Sequence, residues 1–130
     1  MIKQLKPKQA WKLLTDNPGA VLIDVRSRVE YTHIGHPIGS VHIPWQEAPD
    51  WKVNQQFVNQ VSNSFGEKTT PILLLCRSGQ RSMAAAKALE TAGFTDLANI
   101  EEGFEGSLDN HKHRGTLSGW RFDGLPWEQS

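Results

Sequence analysis

The feature that most constrains the fold is an apolar run from Ile72 to Cys76, which stops abruptly at the polar residues 77–79. Its length and its lack of polar positions predict a strand buried on both faces. A second run, residues 20–25, has the same character and is broken only by Asp24. The two runs therefore predict two buried strands.

Segments with helical patterns lie before, between and after these runs. A short helix is predicted to begin near Pro7, and apolar residues at helical spacing predict two more over residues 54–65 and 80–92. Shorter strands are predicted at residues 40–44 and 96–100. Because parallel neighbours need crossover connections, this alternation predicts an α/β fold, with a mainly parallel sheet and helices on both faces.

The length and charge of the chain restrict its organisation and its partners. A chain of 130 residues fits one compact domain, so residues 1–130 are predicted to form a single domain. Fourteen basic and fourteen acidic side chains cancel, and no apolar stretch is long enough to cross a bilayer. We therefore expect neither a nucleic-acid partner nor a membrane partner.

The sequence also predicts a cellular location. The N-terminal residues include lysines but no apolar segment of the kind found in secretory signals. Cys76 is the single cysteine, so it cannot form an internal disulfide, and a free thiol is best preserved in a reducing compartment. We expect a cytoplasmic protein.

Cys76 lies where a parallel sheet commonly binds ligands, at the end of a buried strand and before a glycine-containing loop that opens a helix. The loop of residues 77–82 can turn several backbone N–H groups inward, and the helix adds the positive end of its dipole. A sulfur atom at the floor of such an anion cradle should lose its proton more easily than a free cysteine.

Each residue of this loop can contribute to anion binding. Gly79 permits unusual backbone angles, the serines offer hydroxyl donors, and the arginines carry permanent charge. A lone cysteine after an apolar strand is often only a buried structural residue. A structural cysteine, however, has no need of charged neighbours that are costly beside a core. The predicted binding residues are Arg77, Ser78, Gly79, Gln80, Arg81 and Ser82.

The loop sequence Cys-Arg-Ser-Gly-Gln-Arg-Ser resembles the active-site loop of rhodanese-homology domains. The resemblance spans residues 7–128 of the chain. It continues in segments on either side of the loop: Leu22–Arg26 with Glu30, Gly35-His36, Ile43-Pro44, Glu102-Gly103-Phe104, Gly119-Trp120 and Gly124-Leu125-Pro126.

The resemblance implies a three-layer α/β/α domain that acts as a sulfurtransferase without a cofactor. In this family a cysteine such as Cys76 attacks the outer sulfur of a donor such as thiosulfate and becomes a persulfide, which an acceptor thiol or cyanide then discharges. The amides of residues 77–82 would stabilise the anionic sulfur, and the arginines would hold the donor's oxygens and the departing sulfite. Without a second cysteine, the acceptor thiol or acceptor protein must be external.

Two segments depart from the family pattern. Residues 36–39 read His-Pro-Ile-Gly where the family usually has His-Ile-Pro-Gly, which predicts a reshaped turn. The polar stretch 106–118 separates Phe104 from Trp120, where typical members continue almost directly. We expect this stretch to be a long loop within the domain, serving as a flap or as a surface for a partner.

Other polar residues have weaker claims to function. Asp24 interrupts a buried strand, so it is predicted to bond to backbone amides or to Arg26 and to support the site. Arg26 and Glu30, four residues apart, are predicted to pair with each other on a short helix. The paired histidines at 33 and 36 and at 111 and 113 lack cysteine partners, so no metal site is predicted.

Two other functions stay open at this stage. Cysteine-based phosphatases and arsenate reductases also place a cysteine in an anion-binding loop, but their pattern needs His before the cysteine and Arg after five intervening residues. Leu75 and Ser82 occupy those positions here, which disfavours that class. Rhodanese-like domains also serve as regulatory binding modules or as sulfur carriers with little turnover. Such modules often lack the cysteine, so its presence favours catalysis.

Overall fold

The structure, a computed structural model, describes residues 1–130, and its centre is a five-stranded parallel sheet. The strands are β1 (Ile2–Leu5), β2 (Val21–Asp24), β3 (His36–Pro37), β4 (Val41–His42), β5 (Gln46–Glu47), β6 (Lys52–Val53), β7 (Ile72–Leu75), β8 (Leu97–Ile100) and β9 (Trp127–Glu128). The α-helices are α1 (Pro7–Asp16), α2 (Phe57–Phe65) and α3 (Gln80–Thr91), and a π-helical turn spans Glu30–Ile34.

The sheet has the strand order β1-β8-β7-β2-β4, and every neighbouring pair is parallel. The two predicted buried strands are neighbours, with Ile23 opposite Leu74 and Asp24 opposite Leu75. Because parallel strands end at the same edge of the sheet, Asp24 and Cys76 come close to each other there.

Helices cover both faces of the sheet, as the sequence predicts. On one face, α2 and α3 pack against Ile23 and Leu74, in a core cluster that includes Cys76. On the other face, α1 packs against Leu73 and Leu75, together with side chains of the C-terminal part of the chain. Alternate residues of β7 therefore serve two separate cores, which explains why this strand has no polar position.

The structure adds one edge strand that the sequence pattern does not reveal. β1 pairs with β8 along its whole length, from Ile2 opposite Leu97 to Leu5 opposite Ile100. Only the two ends of β1 are partly buried, and its two central residues are exposed. Such a half-exposed edge segment has no continuous apolar run to mark it as a strand.

The second helix begins at Phe57, three residues later than the pattern suggests, because Asn54 makes other bonds. The Asn54 backbone N–H donates to the Trp45 carbonyl over 2.7 Å, and its side-chain amide donates to the Pro44 carbonyl over 2.9 Å. Asn54 is thereby tied to the preceding loop, and its own side-chain oxygen accepts from Gln56 N–H before the helix starts.

The polar stretch 106–118 contains neither helix nor strand, as the sequence predicts. Asp109 organises its centre: its carboxylate accepts hydrogen bonds from the backbone N–H groups of His111 and His113 and from the Thr116 hydroxyl. These bonds lower the pKa of the Asp109 carboxyl, with the backbone bond from His113 contributing most. No helix of the protein is both long and apolar enough to cross a membrane.

Candidate active site around Cys76

Cys76 directly follows β7, and its side chain is almost fully buried, at 1% exposure. Its backbone is fixed by the segment that follows β8. The Cys76 carbonyl accepts from Phe104 N–H over 2.8 Å, and the Arg77 carbonyl accepts from Glu105 N–H over 3.0 Å. A Cβ atom on Gly103 would lie 2.4 Å from the Cys76 carbonyl oxygen, so only glycine permits this approach.

Two groups that can donate a hydrogen bond lie against the cysteine sulfur. The Gly79 N–H lies 3.1 Å from Cys76 Sγ, and the Ser82 Oγ lies 3.2 Å from it. Gly79 has a φ of 108°, which lets the loop turn this amide inward just before α3 begins. The sulfur therefore lies at the N-terminal end of α3, where the helix dipole favours negative charge.

The loop brings the remaining predicted residues around a small pocket. It has a volume of about 50 Å³ and is lined by Cys76, Arg77, Ser78, Gln80 and Arg81. A water molecule needs roughly 10–15 Å³ by the same measure, so the pocket has room for a group of a few atoms. Of the backbone amides in the loop, that of Gly79 is the one within hydrogen-bond distance of the sulfur.

Asn99 on β8 is a further polar residue of the site, and the sequence analysis missed it. Its Oδ1 lies 2.5 Å from Ser82 Oγ, and its Nδ2 donates to Gln4 Oε1 over 3.0 Å and to the Gly79 carbonyl over 3.2 Å. Asn99 thus positions both groups that contact the sulfur. A polar residue inside the buried strand Leu97–Ile100 is the signal that could have identified it.

The Ser82 hydroxyl has one proton and two neighbours that can accept it. While Cys76 is a thiol, the hydroxyl can donate to Asn99 Oδ1 and accept from the sulfur. Once the sulfur is anionic, the hydroxyl can turn its proton toward Sγ. This rotation stabilises a charged sulfur without any movement of the backbone.

Arg81 bonds to a carboxylate that the sequence analysis assigned elsewhere. Its Nη1 and Nη2 lie 2.7 and 2.8 Å from the two oxygens of Glu30, in a bidentate pair. The predicted pair between Arg26 and Glu30 is wrong. The helical backbone that leads into the π-helical turn begins at Arg28, so Arg26 lies before it, and the Arg26 side chain points into the interior instead.

Burial opposes ionisation of Glu30, but the hydrogen bonds and charge of Arg81, with further bonds from Ser27, outweigh it. The pKa of Glu30 falls to about 2 as a result. The same hydrogen bonds to Glu30 raise the pKa of Arg81. Both terminal nitrogens of Arg81 bond to the Glu30 carboxylate. Arg77, in contrast, is exposed and has no carboxylate within ion-pair distance.

Asp24 and Arg26 form a second ion pair, directly behind the loop. Arg26 Nη2 lies 2.7 Å from Asp24 Oδ2, and both Arg26 Nε and the Arg26 backbone N–H donate to Asp24 Oδ1. Both side chains are fully buried, and the Arg26 guanidinium lies 4.5 Å from the centre of the Phe104 ring. The predicted bonding of Asp24 to an amide and to Arg26 is confirmed.

A larger cavity of about 630 Å³ opens beside the small pocket and shares Arg77 and Arg81 with it. Its walls combine apolar and charged side chains: Ser27, Val29, Glu30, Ile34, Ala48, Trp51, Arg77, Arg81, Glu105 and Arg114. Arg114 comes from the polar stretch 106–118, so this stretch reaches the site. The sequence pattern gave no indication of a role for Trp51 or Arg114.

The histidines that lie in pairs along the sequence do not come together into a larger cluster. The rings of His111 and His113 are 6.4 Å apart, and His36 stacks on Tyr31 with a ring separation of 3.8 Å. No group of three or more His, Cys, Asp or Glu side chains is arranged to hold a metal ion.

Known proteins share this fold and sequence. The crystal structure of Rv0390 from M. tuberculosis is 40% identical, superimposes with a TM-score of 0.88, and matches over 98% of both chains. Thiosulfate sulfurtransferase 16, chloroplastic, from Arabidopsis thaliana is 33% identical over 106 residues, which cover 80% of this chain and 76% of the relative. An uncharacterized protein of Rickettsia rickettsii, the RP600 homolog, is 30% identical over 98% of both chains.

The match to a described family covers most of the chain, including β2, the Cys76 loop and β8. The family model for the rhodanese-like domain matches residues 6–109. It therefore contains the sulfur, its two donors and both ion pairs, and it ends within the polar stretch. Some relatives at low identity are sulfurtransferases, as their names state. The chain belongs to the rhodanese-like domain family.

Proposed function

We propose that this protein is a sulfurtransferase, which moves sulfane sulfur from an anionic donor such as thiosulfate to an external thiol or cyanide. The single observation that carries the proposal is the position of Cys76 Sγ. It lies in a small pocket at the start of α3, within 3.1 Å of Gly79 N–H and 3.2 Å of Ser82 Oγ. Both donors suit a sulfur atom that carries negative charge.

In the first half-reaction, the Cys76 thiolate attacks the outer sulfur of thiosulfate. A bond forms between Sγ and that sulfur, the sulfur–sulfur bond of thiosulfate breaks, and sulfite leaves with the bonding electron pair. Cys76 then carries a persulfide anion. Gly79 N–H and the Ser82 hydroxyl stabilise the charge on the sulfur, and exposed Arg77 attracts the doubly charged donor to the pocket.

In the second half-reaction, an acceptor removes the outer sulfur and restores the Cys76 thiolate. Cys76 is the single cysteine, so no other residue of this chain can resolve the persulfide. The acceptor is an external small thiol, a protein thiol or cyanide. A free thiol that must cycle in this way suits a reducing compartment such as the cytoplasm.

Intact mass spectrometry tests the proposal directly. After treatment with thiosulfate, the protein should gain the mass of one sulfur atom, and Cys76→Ser should gain none. A control variant, Ser64→Ala, alters a serine of α2 away from the pocket and should gain the same mass as wild type. An unchanged mass in wild type, under conditions that protect persulfides, would refute the proposal.

Turnover separates an enzyme from a sulfur carrier. With thiosulfate and cyanide in excess, an enzyme releases many equivalents of thiocyanate per protein, because each cycle regenerates the Cys76 thiolate. A carrier dedicated to one partner protein would load once and release little to cyanide. Release of a single equivalent would therefore replace the enzymatic proposal with the carrier function.

A further inference from the structure

We infer that the cavity of about 630 Å³ beside Cys76 binds the sulfur acceptor, and that this acceptor is a small organic thiol carrying a carboxylate. The inference rests on the proposed function and specifies its second substrate. It assigns a role in acceptor selectivity to Arg114, a residue of the polar stretch 106–118.

The position of the cavity suits an acceptor. Arg77 and Arg81 line both the cavity and the small pocket over the sulfur, so the two spaces adjoin at these side chains. A molecule seated in the cavity can therefore direct a thiol toward the persulfide. Pockets for small molecules commonly measure about 300–1,000 Å³, and the volume of this cavity lies within that range.

The charges around the cavity favour an anion. Glu30 and Arg81 neutralise each other in their bidentate pair. Among the other charged lining residues, Arg77 and Arg114 are positive and Glu105 is negative, and none of the three forms an ion pair. One positive charge is therefore left without compensation, which matches a ligand with one carboxylate.

Arg114 is held in place for such a contact. Its Nη1 donates to the Gly106 carbonyl over 2.6 Å, whereas its Nη2 makes no hydrogen bond within the protein. Arg114 as a residue is partly buried, and the bond from Nη1 anchors one side of the guanidinium while other donors remain for a ligand. An arginine that is already immobilised loses little further freedom when it binds a carboxylate.

Four apolar side chains contribute to the cavity wall beside Ser27 and the charged residues, and they favour an organic ligand over an inorganic anion. Val29, Ile34, Ala48 and Trp51 line it. Trp51 has a φ of 56°, an unusual angle for a bulky residue, and backbone bonds to Glu47 and from the Gln46 side chain hold it there. The indole of Trp51 offers an apolar surface to the carbon skeleton of a thiol.

The transfer step moves one sulfur atom from Cys76 to the acceptor. The acceptor thiol first loses its proton to solvent, and the Cys76 persulfide anion takes up a proton from solvent. The acceptor sulfur then attacks the outer sulfur of the protonated persulfide. A new sulfur–sulfur bond forms in the acceptor. The bond between the outer sulfur and Sγ breaks, and its electron pair remains on Sγ as the Cys76 thiolate, so the acceptor leaves as a persulfide.

The test measures the discharge of loaded protein by two matched thiols, N-acetylcysteine, which carries a carboxylate, and its neutral amide. Loss of sulfur is followed by intact mass in single turnover. In Arg114→Gln, the second-order rate constant for N-acetylcysteine should fall about tenfold relative to wild type, since a charge-assisted contact is lost. The rate constant for the amide should stay within about twofold. Because each thiol is compared with itself, differences in intrinsic reactivity cancel.

Lys112→Gln is the matched control, because it removes the same charge from the same stretch at an exposed position that does not line the cavity. It should leave both rate constants unchanged. If Arg114→Gln does not fold, Arg114→Lys supplies the comparison: it keeps the charge but loses the planar fork, and a fall of about threefold for N-acetylcysteine is expected.

The inference is overturned if the Arg114 variant discharges both thiols as wild type does, or slows both equally, or if Lys112→Gln reproduces its effect. Loading is measured separately, with thiosulfate and, in a second preparation, with inorganic polysulfide. Failure of thiosulfate to load the protein would contradict the proposed donor, while discharge of polysulfide-loaded protein would still decide the acceptor.

Discussion

Two arginine–carboxylate pairs flank the Cys76 loop, and they differ in burial and in the sequence separation of their partners. Asp24 and Arg26 are two residues apart in sequence and are both fully buried. Glu30 and Arg81 are 51 residues apart, and their side chains are 14% and 19% exposed. The first pair lies behind the loop, while the second forms part of the walls of the cavity.

The two pairs contact different parts of the site. Arg26 donates to Asp24 and to the Gly35 carbonyl and lies over Phe104, whose N–H holds the Cys76 carbonyl. No hydrogen bond links this buried pair to the sulfur, so it acts through the backbone. The Glu30–Arg81 pair instead joins the π-helical turn to the first turn of α3 and holds a neutralised guanidinium at the wall of the pocket.

The largest expected effect comes from breaking the buried pair. Asp24→Asn leaves the Arg26 charge in the interior without a counter-charge, and we expect a loss of about 3–5 kcal/mol in the free energy of unfolding. Urea denaturation monitored by circular dichroism measures it. Asp16→Asn, which breaks the exposed pair with Lys12 in α1, is the matched control and should leave the denaturation midpoint unchanged. Equal effects of the two substitutions would contradict the distinction.

A smaller and pH-dependent effect is expected from the second pair. Glu30→Gln should destabilise the protein by about 2–3 kcal/mol at neutral pH, because the pKa of Glu30 is lowered from 4.5 to about 2 by its partners. Because the pKa of Glu30 is lower in the folded protein, its ionised carboxylate stabilises the fold at any pH above the pKa of the unfolded state, 4.5. This stability is lost as pH falls from 4.5 toward 2. Denaturation curves of wild type and variant should therefore converge across that range. A constant gap would argue against this role of Glu30.

The smallest expected effect concerns salt. At 1 M NaCl, where the Debye length is about 3 Å, the destabilisation by Glu30→Gln should shrink by a few tenths of a kcal/mol, since this pair is partly exposed. The destabilisation by Asp24→Asn should not change, because solvent does not reach that pair. Both are measured as shifts in the urea midpoint between low and high salt. Equal salt sensitivity of the two variants would contradict the claim that only the Glu30–Arg81 pair is reached by solvent ions.

The sequence predicted those parts of the fold that rest on continuous apolar runs or clear helical spacing. β2, β7 and α3 follow from their own residues, and Gly93, with a φ of 101°, follows the last turn of α3. The edge strand β1 was not predicted, because its pairing with β8 depends on tertiary position rather than on its own residue pattern. The late start of α2 was not predicted, because the Asn54 side chain bonds to the preceding loop instead of joining the helix.

The sequence predicted the part of the site whose residues lie within one loop. Cys76, Gly79 and Ser82 are close in sequence, and the structure brings them into contact. Partners from distant segments could not be derived from local spacing. Asn99 reaches Ser82 from another strand, and Glu30 reaches Arg81 across 51 residues, against the expectation that it would meet Arg26.

The close approach of Gly106 to Gly119 has a consequence for how such a protein can diversify. A Cβ on Gly119 would lie 2.7 Å from the Gly106 nitrogen, so the chain leaves and re-enters the domain at nearly one point. Segments whose ends meet in this way are Ω-loops, and changes in their length or sequence cost the rest of a fold little. Arg114 lies on such a loop, whereas Cys76 directly follows the central strand β7. Under the proposed role of Arg114, acceptor preference could therefore be altered without changing the residues that contact the sulfur.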